Sequence, residues 1–299
     1  MGRSAPEFWV YRGVRSSQSA EGVFAAVPHP EHYFFASRNQ PNYAWWRPLA
    51  EIIAAAVLTV AFVAVIGLSL EAAGVDTTGG AADKYFGYGS VVVEILAVIL
   101  AVRFVGRRPV ASVCSGRPGT KAWVPFAAYA LAFVTIAAVM GAVGVFGYGA
   151  SWGQVFGGVG SDLPVELVAI VLAALAEEMA FRGLFLQAFT AWTNHPVVGA
   201  VLAAIPFVAM HPQAYGSPTS FAHYFLDALL YALLVWAFNS IWVAVAVHAA
   251  WNTFGSIQAL GMPTSAAGLV ASFAASALAT AVVIGVLRRV ALPQSHSPA

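Results

Sequence analysis

Eight stretches of mostly apolar residues recur along this chain: Pro48–Leu70, Phe86–Val105, Ala122–Phe146, Leu163–Phe189, Pro196–Met210, Phe221–Phe238, Ile241–Ile257 and Gly268–Leu287. Crossing a bilayer core as a helix takes roughly 20 residues. Inside hydrocarbon every backbone N–H and C=O must be paired within the protein, which leaves helices as the form for stretches of this length. The expected fold is therefore all-α, a polytopic membrane bundle of about eight transmembrane helices. Composition agrees, with 60% hydrophobic and 9% charged residues where soluble chains carry about 25% charged.

The remaining sequence divides around that bundle. Residues 1–47 hold Pro6, Pro28, Pro30 and Pro41 among Arg, Ser and scattered aromatics, with no apolar signal-peptide core; they read as a poorly ordered N-terminal extension. Residues 48–289 form the bundle, and 290–299 read as a disordered tail. Arginines before the first span, basic residues between the second and third (Arg103, Arg107, Arg108, Arg117, Lys121), and Arg288 and Arg289 after the last all fall on one side if there are eight spans. The positive-inside rule makes that side the cytoplasm, with both termini there and the cell membrane as the expected location. One cysteine, Cys114, excludes an intramolecular disulfide framework, and no basic run interleaved with aromatics points to nucleic acid.

Three charged residues, Glu177, Glu178 and Arg182, sit inside the fourth apolar stretch. Each costs about 2.5–3.5 kcal/mol near a bilayer centre on insertion scales, so their presence calls for a buried pairing or a reaction. Glu178 and Arg182 are four apart with the acid first, the favourable order for an ion pair. Glu177 is turned about 100° away, which leaves one carboxylate clamped and the other free to act as a general base. Two more groups follow: Phe207-x-x-x-His211 at the end of the fifth stretch and His248-x-x-x-Asn252 in the seventh, each stacking its pair on one helix face. Glu177, His211, His248 and Asn252 come from three helices and are expected to converge on a polar cavity at membrane depth.

Glu177-Glu178-x-x-x-Arg182, Phe207-x-x-x-His211 and His248-x-x-x-Asn252, in that order, resemble the CAAX protease and bacteriocin-processing (Abi) family of intramembrane endopeptidases, which includes the Rce1-like prenyl proteases. The similarity covers about residues 164–255. It implies a membrane endopeptidase in which Glu177 activates water, His211 shares that water or its proton, His248 and Asn252 stabilise the oxyanion, and Glu178 and Arg182 hold the base in place. It also implies a membrane-embedded or lipidated peptide or protein as substrate. Glu177, His211 and His248 are a set zinc would accept, and the family is commonly called a metalloprotease. With no carboxylate evident behind either imidazole, a metal-independent mechanism is favoured.

Two other classes compete. Gly149-Ala150-Ser151-Trp152-Gly153 matches Gly-x-Ser-x-Gly, the pattern of a serine nucleophile, but in a glycine-rich loop instead of a strand-to-helix elbow. A non-catalytic scaffold or a transporter would use the same polar groups as glue or as an ion site. His223 and Asp227, four apart in the sixth stretch, fit a local hydrogen bond or the cavity wall equally well.

Overall fold

The computed structural model describes residues 32–76, 80–116, 120–160, 162–258 and 265–291. It is a polytopic bundle, and no named strand occurs among the described residues. The helices are α1 (Arg47–Ala72), α2 (Gly80–Leu100), α3 (Val124–Ala142), α4 (Trp152–Phe156), α5 (Leu163–Glu178), α6 (Gln187–Thr193), α7 (Pro196–Ala209), α8 (Pro218–Phe238), α9 (Trp242–Ile257) and α10 (Ala266–Ala291). Three π-helical segments continue α2, α3 and α5: Ala101–Gly106, Val143–Gly147 and Met179–Leu186. The last joins α5 to α6, so residues 163–193 form one rod.

Among the described residues, five helices are long and apolar enough to cross a membrane: Arg47–Ala72, Gly89–Gly106, Val124–Gly147, Pro218–Phe238 and Ala266–Ala291. The other expected spans differ for visible reasons. The 163–193 rod carries Glu166, Glu177, Glu178 and Arg182, whereas α7 has 14 residues and α9 has 16. The outer faces are apolar, as lipid requires: Val57, Val60, Val65 and Leu68 of α1 are exposed, and so are Phe126, Phe146, Val270 and Val286. Inside, α9 is buried along nearly its whole length, against α3 on one side and α5 on the other.

Hydrogen bonds tie the helix ends into two groups. At one end, Trp192 donates to the carbonyl of Trp45, Thr120 Oγ1 donates to Phe238 O and Lys121 N–H donates to Ala291 O. This terminal end gathers the starts of α1 and α3 with the ends of α6, α8 and α10. At the other, Gly158 N–H donates to Ile257 O and Ser256 donates to Glu166. The 163–193 rod and α9 therefore run antiparallel, while α8 and α10 run the same way.

From His32 onward the N-terminal segment packs onto the terminal end, where the sequence reading expects little order. Tyr33, Phe34 and Phe35 are buried; the Tyr33 hydroxyl donates to Val113 O at 2.6 Å, and its N–H donates to Asn239 Oδ1 at 2.7 Å. Aromatic burial and these bonds outweigh what Pro41 and its neighbours suggested, because Asn239 turns left-handed at φ 53° to meet the segment. Residues 1–31 of that segment and 292–299 of the tail lie outside the described residues; Val290 and Ala291 complete α10.

Candidate active site

Glu177 lies near the middle of its rod, with roughly 20 Å of helix on either side at 1.5 Å per residue. Its Oε2 stands 3.5 Å from His211 Nε2 and 3.8 Å from His248 Nε2 and makes no hydrogen bond among the described residues. His211 comes from the turn after α7, where Pro212 ends the helix, and His248 from the second turn of α9. Three elements thus bring Glu177, His211 and His248 to one point. Asn252, one turn beyond His248, is half-buried on the same helix.

The far side of each imidazole fixes its chemistry. His211 Nδ1 is 2.6 Å from Phe207 O, and a carbonyl oxygen can only accept, so Nδ1 carries a proton and Nε2 faces Glu177. His248 Nδ1 is 3.0 Å from Glu178 Oε1, which takes its proton in the same way. His248 is therefore bracketed by two carboxylates, hydrogen-bonded to Glu178 through Nδ1 and facing Glu177 through Nε2 at 3.8 Å. Rings hold the two histidines in place: Phe207 lies 4.4 Å and Tyr224 5.0 Å from His211, and Tyr231 stacks on His248 at 4.7 Å.

Behind this trio sits the ion pair that the spacing predicts. Glu178 is fully buried and Arg182 is 3% exposed, with Nη1 to Oε1 at 3.0 Å. Arg182 also donates to Ala228 O at 3.0 Å and lies over the rings of Phe207 and Tyr231 at 4.8 and 5.1 Å. One carboxylate oxygen thus holds both the arginine and His248, joining the clamp to the site.

One expectation needs correction. The argument against metal supposed that the imidazoles lack supporting partners, yet Phe207 O and the Glu178 carboxylate back them, as such partners do in metal sites. Glu177, His211 and His248 are also donor types that zinc takes. Even so, no group of three or more His, Cys, Asp or Glu side chains among the described residues is gathered as an ion requires. No step is derived through a metal.

Ser151, the serine alternative, caps a helix. Its Oγ accepts from Gln154 N–H while the Gln154 side chain accepts from Ser151 N–H, a complete capping box at the start of α4.

A second buried charge network escaped the sequence reading. Arg108, placed by sequence among loop arginines, is 3% exposed and holds the Glu51 carboxylate with Nε and Nη2 at 2.9 and 2.7 Å. Its Nη1 donates to Gln187 Oε1 at 2.8 Å and its Nη2 to Gly183 O at 3.3 Å, so it grips the rod two turns from Glu177. Glu51 inside the first apolar stretch carried the signal, by the same insertion cost that singled out Glu177. An apolar groove of about 710 Å³ also runs between α3, α5 and α9, lined by Phe126, Tyr129, Val171, Leu175, Trp242 and Ala249.

No curated protein and no solved structure matches the chain. Residues 159–254, the stretch that supplies Glu177, Glu178, Arg182, His211, His248 and Asn252, match the family model for type II CAAX prenyl endopeptidase, Rce1-like.

Proposed function

We propose that this integral membrane protein is an intramembrane endopeptidase that hydrolyses a peptide bond of a membrane-associated protein or peptide. The observation that carries the reading is the unpaired Glu177 Oε2 facing two imidazole nitrogens whose other sides are already committed. With His211 neutral, the Glu177 carboxylate oxygen and His211 Nε2 are both acceptors, and a water molecule supplies two donors to satisfy them. Glu177 takes one proton as the water oxygen attacks the peptide carbonyl carbon, and passes it to the leaving amine as the C–N bond breaks.

The developing oxyanion needs donors. His248, held through Nδ1 by Glu178, serves as one through Nε2 when doubly protonated, and the Asn252 carboxamide serves as the second; each such donor is worth about 3–4 kcal/mol in other hydrolases. Glu178 and Arg182 do not touch the substrate in this scheme. They fix the His248 ring and the turn that presents Glu177. The apolar groove beside α5 and α9 supports a substrate that approaches from within the bilayer, including one that carries a hydrocarbon chain.

The test is turnover of a reporter peptide by purified variants. Glu177→Gln keeps size and removes the charge, and is expected to abolish cleavage without lowering the yield of folded protein. Ser151→Ala is expected to cleave normally. Activity kept in the first variant and lost in the second would overturn this mechanism in favour of the serine.

A further inference from the structure

Peptide hydrolysis creates one acceptor that the residues named so far leave unmet. As the carbonyl carbon becomes tetrahedral, the peptide nitrogen loses its conjugation and gains a lone pair. His248 and Asn252 serve the oxyanion, and Glu177 reaches the nitrogen only when it hands over its proton. A neutral donor beside the site would fill the gap.

Tyr224 is placed to be that donor. Only the turn Pro212–Gly216 and the cap Ser217 separate His211 from α8, so the second turn of α8 folds back onto the histidine. The Tyr224 ring lies 5.0 Å from the His211 ring with 33° between their planes, and it meets His223 edge-on at 5.5 Å. That same His211 faces Glu177 Oε2 at 3.5 Å. The half-buried phenol is thus held on two sides, and its hydroxyl lies within electrostatic reach of the Glu177 and Asp227 carboxylates.

Tyrosine hydroxyls removed from water ordinarily find a partner. Tyr33 donates to Val113 O, Tyr129 to Thr253 and Tyr215 to Ala209 O. The Tyr224 hydroxyl makes no hydrogen bond among the described residues. Packing on the imidazole does not call for it either, since Phe207 packs on His211 at 4.4 Å without one.

We propose that Tyr224 is a further catalytic residue, its O–H donating a hydrogen bond to the leaving nitrogen of the scissile peptide as that nitrogen becomes tetrahedral. This role rests on the endopeptidase reading and adds a donor on the leaving-group side. The phenol keeps its hydrogen throughout, and the proton that completes the amine still comes from Glu177 as the C–N bond breaks. Other targets are less apt. The oxyanion already has two donors, and a donor aimed at the attacking water would occupy the lone pair that must form the new bond. A phenol is neutral at physiological pH, so it brings no charge to membrane depth.

The test is steady-state cleavage of a lipidated fluorogenic peptide by the full chain purified in detergent, comparing the parent with Tyr224→Phe. That change removes one oxygen and keeps the ring on His211, so the variant is expected to melt within about 2 °C of the parent. Its kcat is expected to fall about 10- to 100-fold with KM changed less than about twofold, because the nitrogen becomes an acceptor only on the way to the transition state. The nitrophenyl ester of the acyl half releases a phenolate that needs no donor, and its hydrolysis is expected to fall less than about threefold. A Phe variant with parental kcat would overturn the proposal, and so would a loss of kcat accompanied by a larger drop in melting temperature, which would make the role structural. Equal losses on amide and ester would move the hydroxyl to the oxyanion and overturn the assignment. A parent that cleaves neither substrate would instead overturn the endopeptidase reading, and this role with it.

Discussion

Replacing Arg182 by alanine exposes how the clamp and the site depend on each other. Glu178 has no solvent contact and Arg182 almost none, so water does not screen the pair or replace the missing partner. Leaving one member of a buried pair without the other costs about 3–5 kcal/mol. The lost bond to Ala228 O and the lost contact with two aromatic rings add to that, the cation–π part by about 0.5–2 kcal/mol. His248 Nδ1 still donates to Glu178, which holds the cost near the lower figure. At roughly 2–4 °C per kcal/mol for a chain of this size, the melting temperature in detergent is expected to fall by about 6–15 °C. Two double variants show why. Glu178→Gln with Arg182→Met removes the orphaned charge and keeps an acceptor for His248, so most of the stability is expected to return. Glu178→Leu with Arg182→Met also removes the charge but strands His248 Nδ1, and is expected to recover less. An Arg182→Ala protein that melts within about 2 °C of the parent would refute the buried pair, and equal melting of the two doubles would refute the link to His248.

Burial holds the His32 imidazole below its usual value of 6.5, and both its ring nitrogens bond in the neutral form, Nδ1 accepting from Phe34 N–H and Nε2 donating to Trp236 O. Below pH 6.5 the unfolded chain binds a proton that the folded ring resists, so stability falls as pH falls through that window and is unaffected above it. His32→Asn is expected to flatten this part of the melting-versus-pH curve, and an unchanged slope would count against the latch. On topology, a Cys114→Ser protein with cysteine at Asp76 is expected to react with an impermeant reagent outside cells, whereas cysteine at Asn42 or Ser295 is not; the reverse pattern would invert the assigned sidedness. Cysteine at Arg108 would be silent in either case, because that position is buried. Prolonged treatment with a strong chelator is expected to leave cleavage intact, and activity that is lost and then restored by stoichiometric zinc would reassign Glu177, His211 and His248 as ligands.

What the sequence displayed depended on range. Apolar runs and four-residue spacings are local, so the bundle, the Glu178–Arg182 pair and the Phe207–His211 bond could be anticipated from neighbouring letters. Chemistry narrowed the rest, since charged and imidazole groups in apolar helices have few places to go, and Glu177, His211 and His248 do meet. Partners far apart in the chain were illegible. Nothing near Arg108 announces Glu51, 57 residues earlier, or Gln187, 79 residues later, and nothing near His248 announces that Glu178, 70 residues away, holds its other nitrogen. The packing of Tyr33 onto Val113 and Asn239 was hidden for the same reason, behind a composition that looks unfolded.

The π-helical segment Met179–Leu186 has a consequence for how this chain tolerates changes in length. Hydrogen bonds in a π-helix reach one residue further than in an α-helix, so the segment behaves as an α-helix with extra residue accommodated in its turns. Removing one residue from it would tighten the rod and rotate everything on one side by about 100° relative to the other. Glu178 faces Arg182 and His248 on one side of the segment, and Gln187 faces Arg108 and Ser112 O on the other. Both sets are buried and neither can swing to follow a rotation. A single deletion between 179 and 186, even one that spares Arg182 and Gly183, would therefore put the two halves of the rod out of phase, and one charge network or the other would be lost. The stretch is fixed in number more strictly than in kind.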